Sequence, residues 1–363
     1  MSALKPPIGI SLARTFGKNI NEETVLRTAE AMVSDGFVSA GYEYLIIGDG
    51  YALPRRDRAT GKLAVDEEKF PCGMKALADK LHGMGLKLGI VTSAGAATPN
   101  GAPGCIDKEY VDAETFAEWG VDYISHDTSF MPPKANYQTV IRRMGLALRN
   151  CGRDILYSVF SSDEKLHVWA RSAGAGAYCD RSFADADEVT FPCDEIAGYS
   201  ADYCWHNCGE ICVTDDLSAM LRSKLALCAM MSSPIIVDCD VTALSKETSD
   251  ILRDGNILSI ATDDEGRPAR RFGEGVYVKY LKDREYALAF IRDNFADAIF
   301  SFADDDNRRM EFYSYDFGIT WNAGYVMEAE GVFGAEGKTE FDAVFAADVA
   351  AGDAQVYKLR LVR

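Results

Sequence analysis

Among the ten cysteines and four histidines of this 363-residue chain, Cys204, His206, Cys208 and Cys212 form the densest group of soft-metal donors, with Cys179 and Cys193 the nearest others upstream. Structural zinc sites set their thiolates in closely spaced pairs that bring four donors onto one ion. This run lacks CxxC pairs and a second half-site, so no metal is expected. Most of the thiols read as reduced, and a disulfide is the remaining option. Gly48, Gly50, Gly101, Gly104, Gly174 and Gly176 could cradle a phosphate, yet none follows dinucleotide or Walker spacing with its acidic or lysine partner. Glycine also serves wherever a loop needs positive φ, and no cofactor is expected. The acidic run Asp304, Asp305, Asp306 reads as a solvated turn rather than a calcium loop.

The elements that must position any chemistry follow from composition and periodicity. With 48% hydrophobic and 26% charged residues the chain has globular composition, and its length suggests a large domain with a smaller partner. The net charge of −18 repels a phosphate backbone and an anionic membrane surface, so neither nucleic acid nor membrane is an expected partner. No stretch reaches the roughly 18 apolar residues of a spanning helix. The start, Met1 to Leu12, has one lysine and no long apolar core. A cytoplasmic location is therefore expected.

Short apolar runs, Ile8 to Ser11, Tyr44 to Ile47, Lys87 to Val91, Tyr123 to His126, Ile155 to Val159 and Ile235 to Val237, read as buried strands. Between them, Glu22 to Asp35 and Gly73 to Met84 carry apolar residues at helical spacing. This alternation is the mark of parallel βα units. After Asp263–Pro268 the texture changes to alternating strands, Val276 to Leu281, Tyr286 to Ile291 and Val356 to Val362. The expected fold is an α/β (β/α)8 TIM barrel over residues 1–270, followed by a C-terminal antiparallel β-sandwich over 271–363. In such a barrel the chemistry belongs at the C-terminal ends of the strands.

Several barrel segments also match a known family in order. They are Pro6-Pro7-Ile8-Gly9, Phe16-Gly17 with Asn19-Ile20, Ala40-Gly41-Tyr42-Glu43-Tyr44, Phe70-Pro71-Cys72-Gly73-Met74-Lys75-Ala76-Leu77-Ala78, Gly85-Leu86-Lys87-Leu88-Gly89-Ile90, Trp119-Gly120-Val121-Asp122-Tyr123 and Ser233-Pro234-Ile235-Ile236. These resemble family 27 of the glycoside hydrolases, the α-galactosidases and α-N-acetylgalactosaminidases. The resemblance implies a retaining, exo-acting α-glycosidase with a carbohydrate or glycoside substrate. Tyr123-Ile124-Ser125-His126-Asp127-Thr128-Ser129 matches the family's nucleophile stretch and implies that role for Asp127. Arg181-Ser182-Phe183-Ala184-Asp185 preserves its acid/base stretch and implies that role for Asp185.

Retaining cleavage needs two carboxyls about 5 to 5.5 Å apart, one ionised to attack and one protonated to release the leaving oxygen. The surrounding sugar contacts depart from the family. Its double-aspartate loop reads Ile47-Gly48-Asp49-Gly50-Tyr51, keeping one carboxylate; its strand tyrosine falls at Val91, its lysine at Ser125, and its glutamate segment near Phe160-Ser161-Ser162. Substrate contacts are thus expected from Asp49, Arg181, Ser125 and Ser161, with Tyr51 and Trp205 as stacking aromatics, in a pocket altered toward an α-N-acetylgalactosaminide or another galacto-configured sugar. His126 is expected to face away from Asp127. The alternative reading is a non-catalytic carbohydrate-binding protein on the same barrel. A homo-oligomer is open to such a chain, though no sequence feature picks an interface.

Overall fold

In the computed structural model, side-chain periodicity and loop capping set the elements. The described residues are 5–161, 166–173, 178–181, 198–200, 204–208, 211–213, 218–292, 307–318 and 324–362. They fall into two compact units, one drawn from Met1–Phe183, Asp202–Cys212 and Pro234–Ser245, the other from Ala184–Ala201, Val213–Ser233 and Lys246–Arg363.

The first unit is the barrel. Its strands are β1 (Ile8–Ser11), β2 (Tyr44–Ile47), β3 (Lys87–Ser93), β4 (Tyr123–Asp127), β5 (Leu156–Ser161), β6 (Tyr178–Arg181), β7 (Trp205–His206), β8 (Ile211–Cys212) and β9 (Ile235–Asp238), all parallel, in the order β7-β6-β5-β4-β3-β2-β1-β9-β8. The ninth strand of the sheet arises because the two-residue strands β7 and β8, only four residues apart in sequence, pair with opposite ends of the curled sheet. The unit's helices are α1 (Glu22–Ser34), the single turn α2 (Phe37–Ala40), α3 (Gly73–Gly83), α4 (Glu109–Trp119), α5 (Tyr137–Asn150) and α6 (Leu166–Ala173). Asn21 caps α1 by accepting from the Thr24 amide, and Asn136 caps α5 by accepting from the Thr139 amide. The buried stripes Val25, Ala29, Met32 and Val140, Ile141, Met144, Leu148 are the apolar faces these helices bury.

Inside the sheet, Tyr44, Ile46, Tyr123, Leu156, Trp205 and Ile236 form one cluster. Gly89 makes room for it: a Cβ there would stand 2.6 Å from Ile46 and 3.1 Å from Tyr123. Large rings facing a bare backbone keep the interior filled rather than open. Emptying the Trp205 position would cost about 3–5 kcal/mol.

The second unit holds α7 (Ser218–Met230), α8 (Lys246–Leu252) and α9 (Gly255–Ala261), then β10 (Arg270–Gly273), β11 (Val276–Tyr280), β12 (Tyr286–Ile291), β13 (Asn307–Tyr313), β14 (Met327–Phe333), β15 (Lys338–Phe341), β16 (Val344–Ala350) and β17 (Ala354–Leu361). Six strands form an antiparallel sheet, β10-β11-β12-β17-β14-β15, and β13 pairs with β16. Met310 and Phe312 of β13 and Phe345 and Val349 of β16 share a core with Val278, Leu288, Phe290, Met327 and Leu359, which makes the unit a sandwich. On β11 the alternate residue Lys279, fully buried, donates to the Ala229 and Ile260 carbonyls at the ends of α7 and α9, 2.8 and 2.6 Å away. Among the described residues no helix is long and apolar enough to cross a membrane.

Candidate active site

Strand alternation decides which side chains face the barrel interior. On β4, Tyr123 belongs to the inner cluster, so Ser125 and Asp127 share its face. His126 lies on the other face, as the sequence led one to expect: its Nδ1 is 2.9 Å from the Tyr157 hydroxyl, which donates to the Ile141 carbonyl of α5. Burial pushes the His126 pKa down to about 3, so the ring is neutral. On β5 the inner set is Leu156, Ser158 and Phe160; on β3 it is Gly89, Val91 and Ser93. The register aligns Val91, Ser125 and Ser158 across three strands, and Ser93, Asp127 and Phe160 one step higher. Val91, Ser125 and Phe160 are partly exposed while nearly every other residue of these strands is buried, so an opening runs down the inner face beside Asp127.

Asp127 is 7% exposed. Its Oδ1 accepts from the Ser129 amide at 2.6 Å and the Ser129 hydroxyl at 2.5 Å, while Oδ2 accepts no hydrogen bond from the described residues. The loop after β3 braces this strand end: the Ala94 amide donates to the Asp127 carbonyl, and the Ala96 amide to that of Phe130. Gly95 permits that approach, since a Cβ there would lie 2.0 Å from the Phe130 carbonyl oxygen. The same loop reaches Asp49, whose Oδ2 and Oδ1 accept the Asn100 backbone and side-chain amides at 2.9 and 2.5 Å. Lys69 ties the loops after β1 and β2 by donating to the Lys18 and Gly50 carbonyls. Asp238, at the end of β9, accepts from the Ser11 and Thr15 hydroxyls and the Arg14 and Thr15 amides at 2.6–3.0 Å.

The other expected contacts are placed as follows. Tyr51 is buried, edge-on to Trp119 at 5.9 Å; burial, with the neighbouring Cys105, Asp112 and Asp49, raises its pKa well above the usual tyrosine range. Trp205 is wholly enclosed in the barrel cluster. Ser161 belongs to the strand set of Tyr157 and Val159, and Arg181 pairs with it in register at the end of β6. Asp185 lies outside the described residues, as do Cys193, Phe183, Gly174, Gly176 and Asp304, Asp305 and Asp306. Cys204, His206 and Cys208 are buried, with Cys204 Sγ 3.8 Å from His206 Nε2. Cys72, Cys105, Cys151 and Cys239 are free thiols, and no group of three or more His, Cys, Asp or Glu among the described residues is placed to hold a metal ion.

Ser158, Asn100 and Asp238 are site elements that the sequence did not point to. Alternation from Leu156 could have found the first. Nothing in the sequence pairs Asn100 with Asp49, 51 positions away.

Residues 12–263 match the family model described as alpha galactosidase A. Similar characterised proteins include the α-galactosidase A of Cellvibrio japonicus, 32% identical over 356 residues that cover 88% of this chain and 85% of that protein. Human α-galactosidase A is 31% identical over 295 residues, covering 75% and 68%. Among solved structures, α-galactosidase I from Mortierella vinacea has a TM-score of 0.86 at 22% identity over 98% of this chain and 97% of that one. A β-L-arabinopyranosidase from Geobacillus stearothermophilus, in complex with arabinose, has a TM-score of 0.82 at 16% identity over 98% and 97%. At these identities the two structures speak for the fold, the barrel with a following β domain.

Proposed function

The chain belongs to the alpha galactosidase A family of glycoside hydrolases, and from that premise we propose that it hydrolyses a terminal α-linked, galacto-configured glycoside with retention, Asp127 acting as nucleophile and Asp185 as acid/base. The observation that carries this reading is the Oδ2 of Asp127, which accepts no hydrogen bond from the described residues and lies beside the opening on the barrel's inner face. Ser129 fixes the carboxylate through Oδ1 and leaves the other oxygen to react.

In the first step Asp127 Oδ2 bonds to the anomeric carbon as the glycosidic C–O bond breaks, and the leaving oxygen takes the proton of the Asp185 carboxyl. In the second, Asp185 removes a proton from water, the water oxygen bonds to the anomeric carbon, and the ester to Asp127 breaks. Asp49 accepts a hydrogen bond from a sugar hydroxyl, Ser125 contributes a polar contact, and Val91 and Phe160 flank the ring. The catalytic part takes residues 1–270 and the β domain 271–363. With short or apolar Val91, Ser125 and Phe160 around Asp127, the substrate differs from a plain α-galactoside in the substituents its ring carries, an α-N-acetylgalactosaminide or a β-L-arabinopyranoside being the leading choices.

The test is turnover of p-nitrophenyl α-galactoside, α-N-acetylgalactosaminide and β-L-arabinopyranoside by the native chain and by D127N and D185N. Turnover by the native chain, lost in both variants, supports the assignment and identifies the sugar. Binding on a glycan array without turnover moves the weight to a non-catalytic carbohydrate-binding protein. Turnover that survives D127N overturns it.

A further inference from the structure

Ser158, on the inner face near Asp127, buries a polar atom that is left unmet: it is 0% exposed, and its Oγ has no hydrogen-bond partner among the described residues. A buried hydroxyl in that state costs free energy and calls for a ligand, a water or a functional reason. Its inner neighbours along β5, Leu156 and Phe160, are apolar. Its register partner on β4 is Ser125, which is open to solvent on the same face and two residues from Asp127. Parallel strands run about 4.8 Å apart, so side chains paired in register are close enough for rotation about one χ1 to bring two serine hydroxyls within hydrogen-bond distance.

We propose that Ser158 is a positioning residue for the sugar site: its hydroxyl orients that of Ser125, and the pair presents one directed hydrogen bond to a hydroxyl of a neutral pyranose held against Asp127. The inference rests on the glycosidase reading above and deepens it. The neutral class follows from the surroundings. The Asp127 carboxylate repels an anionic sugar, Val91 and Phe160 offer apolar flanks to the C–H faces of a ring, and the two serines carry no charge to match one. The arrangement also accounts for a buried hydroxyl left unmet among the described residues. It gains its partner when a bound sugar fixes the rotamer of Ser125, so selectivity is gained at the expense of the free protein's stability.

The test is calorimetric titration of the full-length chain with galactose, 2-deoxygalactose, 6-deoxygalactose and L-arabinose, in wild type, S125A, S158A and the double variant. The expected result is that S158A and S125A each weaken the best-binding sugar about 3- to 10-fold, the scale of one neutral hydrogen bond. The double variant should lose no more than the weaker single one, and S158A should melt at or above the wild-type temperature. The deoxy sugar that lacks the contacted hydroxyl should bind wild type and S158A alike. Additive losses, a lowered melting temperature in S158A, or binding of every sugar unchanged by S158A would overturn the proposal while leaving the glycosidase reading standing. Failure of the wild type to bind any of the four would overturn this proposal, while turnover of the p-nitrophenyl glycosides decides the glycosidase reading separately.

Discussion

Asp127 and Asp238 end two strands of the same barrel, 7% and 2% exposed, and differ in what is done with their lone pairs. Asp238 spends both oxygens on four donors from β1 and the loop after it, two of them backbone amides. Those charge-assisted bonds offset the burial of its charge and make it an anchor for that loop. Among the described residues Asp127 commits only Oδ1, to Ser129, and its Oδ2 accepts no hydrogen bond. Residue type and strand position are alike at both ends; the count of lone pairs satisfied among the described residues is what differs, and it suits Asp238 to holding structure and Asp127 to the proposed reaction.

Truncating each aspartate should pull activity and stability apart. Asp127→Ala is expected to lower kcat/KM about 10^4-fold, some 5 kcal/mol of transition-state stabilisation, with a melting temperature at or above wild type. Steady-state rates and a thermal melt on the same sample check it, and a large loss of stability would erase the contrast. Asp238→Ala should instead destabilise the fold by about 3–5 kcal/mol, because two backbone amides and two hydroxyls lose one shared acceptor. Asp238→Asn should fare little better, since its NH2 group would face donors, whereas Asp127→Asn should fold as wild type. Urea unfolding of the four variants decides it, and a stable Asp238→Asn would show that the loop does not need the charge.

The same two strand ends show where reading the sequence stops. Apolar runs located the strand centres but ended β3 at Val91, β4 at His126, β5 at Val159 and β9 at Val237, whereas the structure carries them to Ser93, Asp127, Ser161 and Asp238. The added residues are mostly polar, so hydrophobic periodicity fades toward the strand ends. Strand β13 was missed for a related reason: in Asn307–Tyr313 only Met310 and Phe312 are fully buried, among charged neighbours. Strands β7 and β8, of two residues each, are too short to carry any period. The resemblance led to Asp127 by position, and Tyr51 and Trp205 lay beside matched segments, yet what encloses an aromatic ring is a tertiary fact that no local pattern encodes.

Lys279 extends the contrast to a buried cation in the second unit, held, like Asp238, by fixed partners. Burial lowers its pKa to about 7, with Asp263 opposing the shift. Between that value and the ordinary lysine range the unfolded chain binds more protons than the folded one. Stability should therefore rise with pH across this window by up to about 1.4 kcal/mol per unit, and be lost again as pH falls through about 7. Lys279→Met should flatten the slope. At pH 9 it should be less stable than wild type, because the Ala229 and Ile260 carbonyls lose their donor, and by pH 6 the gap should narrow. Urea midpoints at the two values test the sign, and parallel curves would mean that Lys279 keeps its proton throughout.

Asp49 stands between the two aspartates, with both oxygens bonded but, among the described residues, by Asn100 alone. A carboxylate oxygen accepts two hydrogen bonds, so Asn100 can hold Asp49 in one orientation and still leave a lone pair for a sugar hydroxyl. Asn100→Ala keeps the backbone amide and removes the side-chain one. Lost preorganisation should then raise KM about 3- to 10-fold and leave kcat within about twofold, because the contact is made equally in ground and transition states. Asn100→Asp should do worse on KM, since it sets a like charge against Asp49. A fall in KM on Asn100→Ala would reverse the assignment: Asn100 would then mask its carboxylate as the four donors mask Asp238, and Asp49 would belong with the anchors rather than with the reacting end of the barrel.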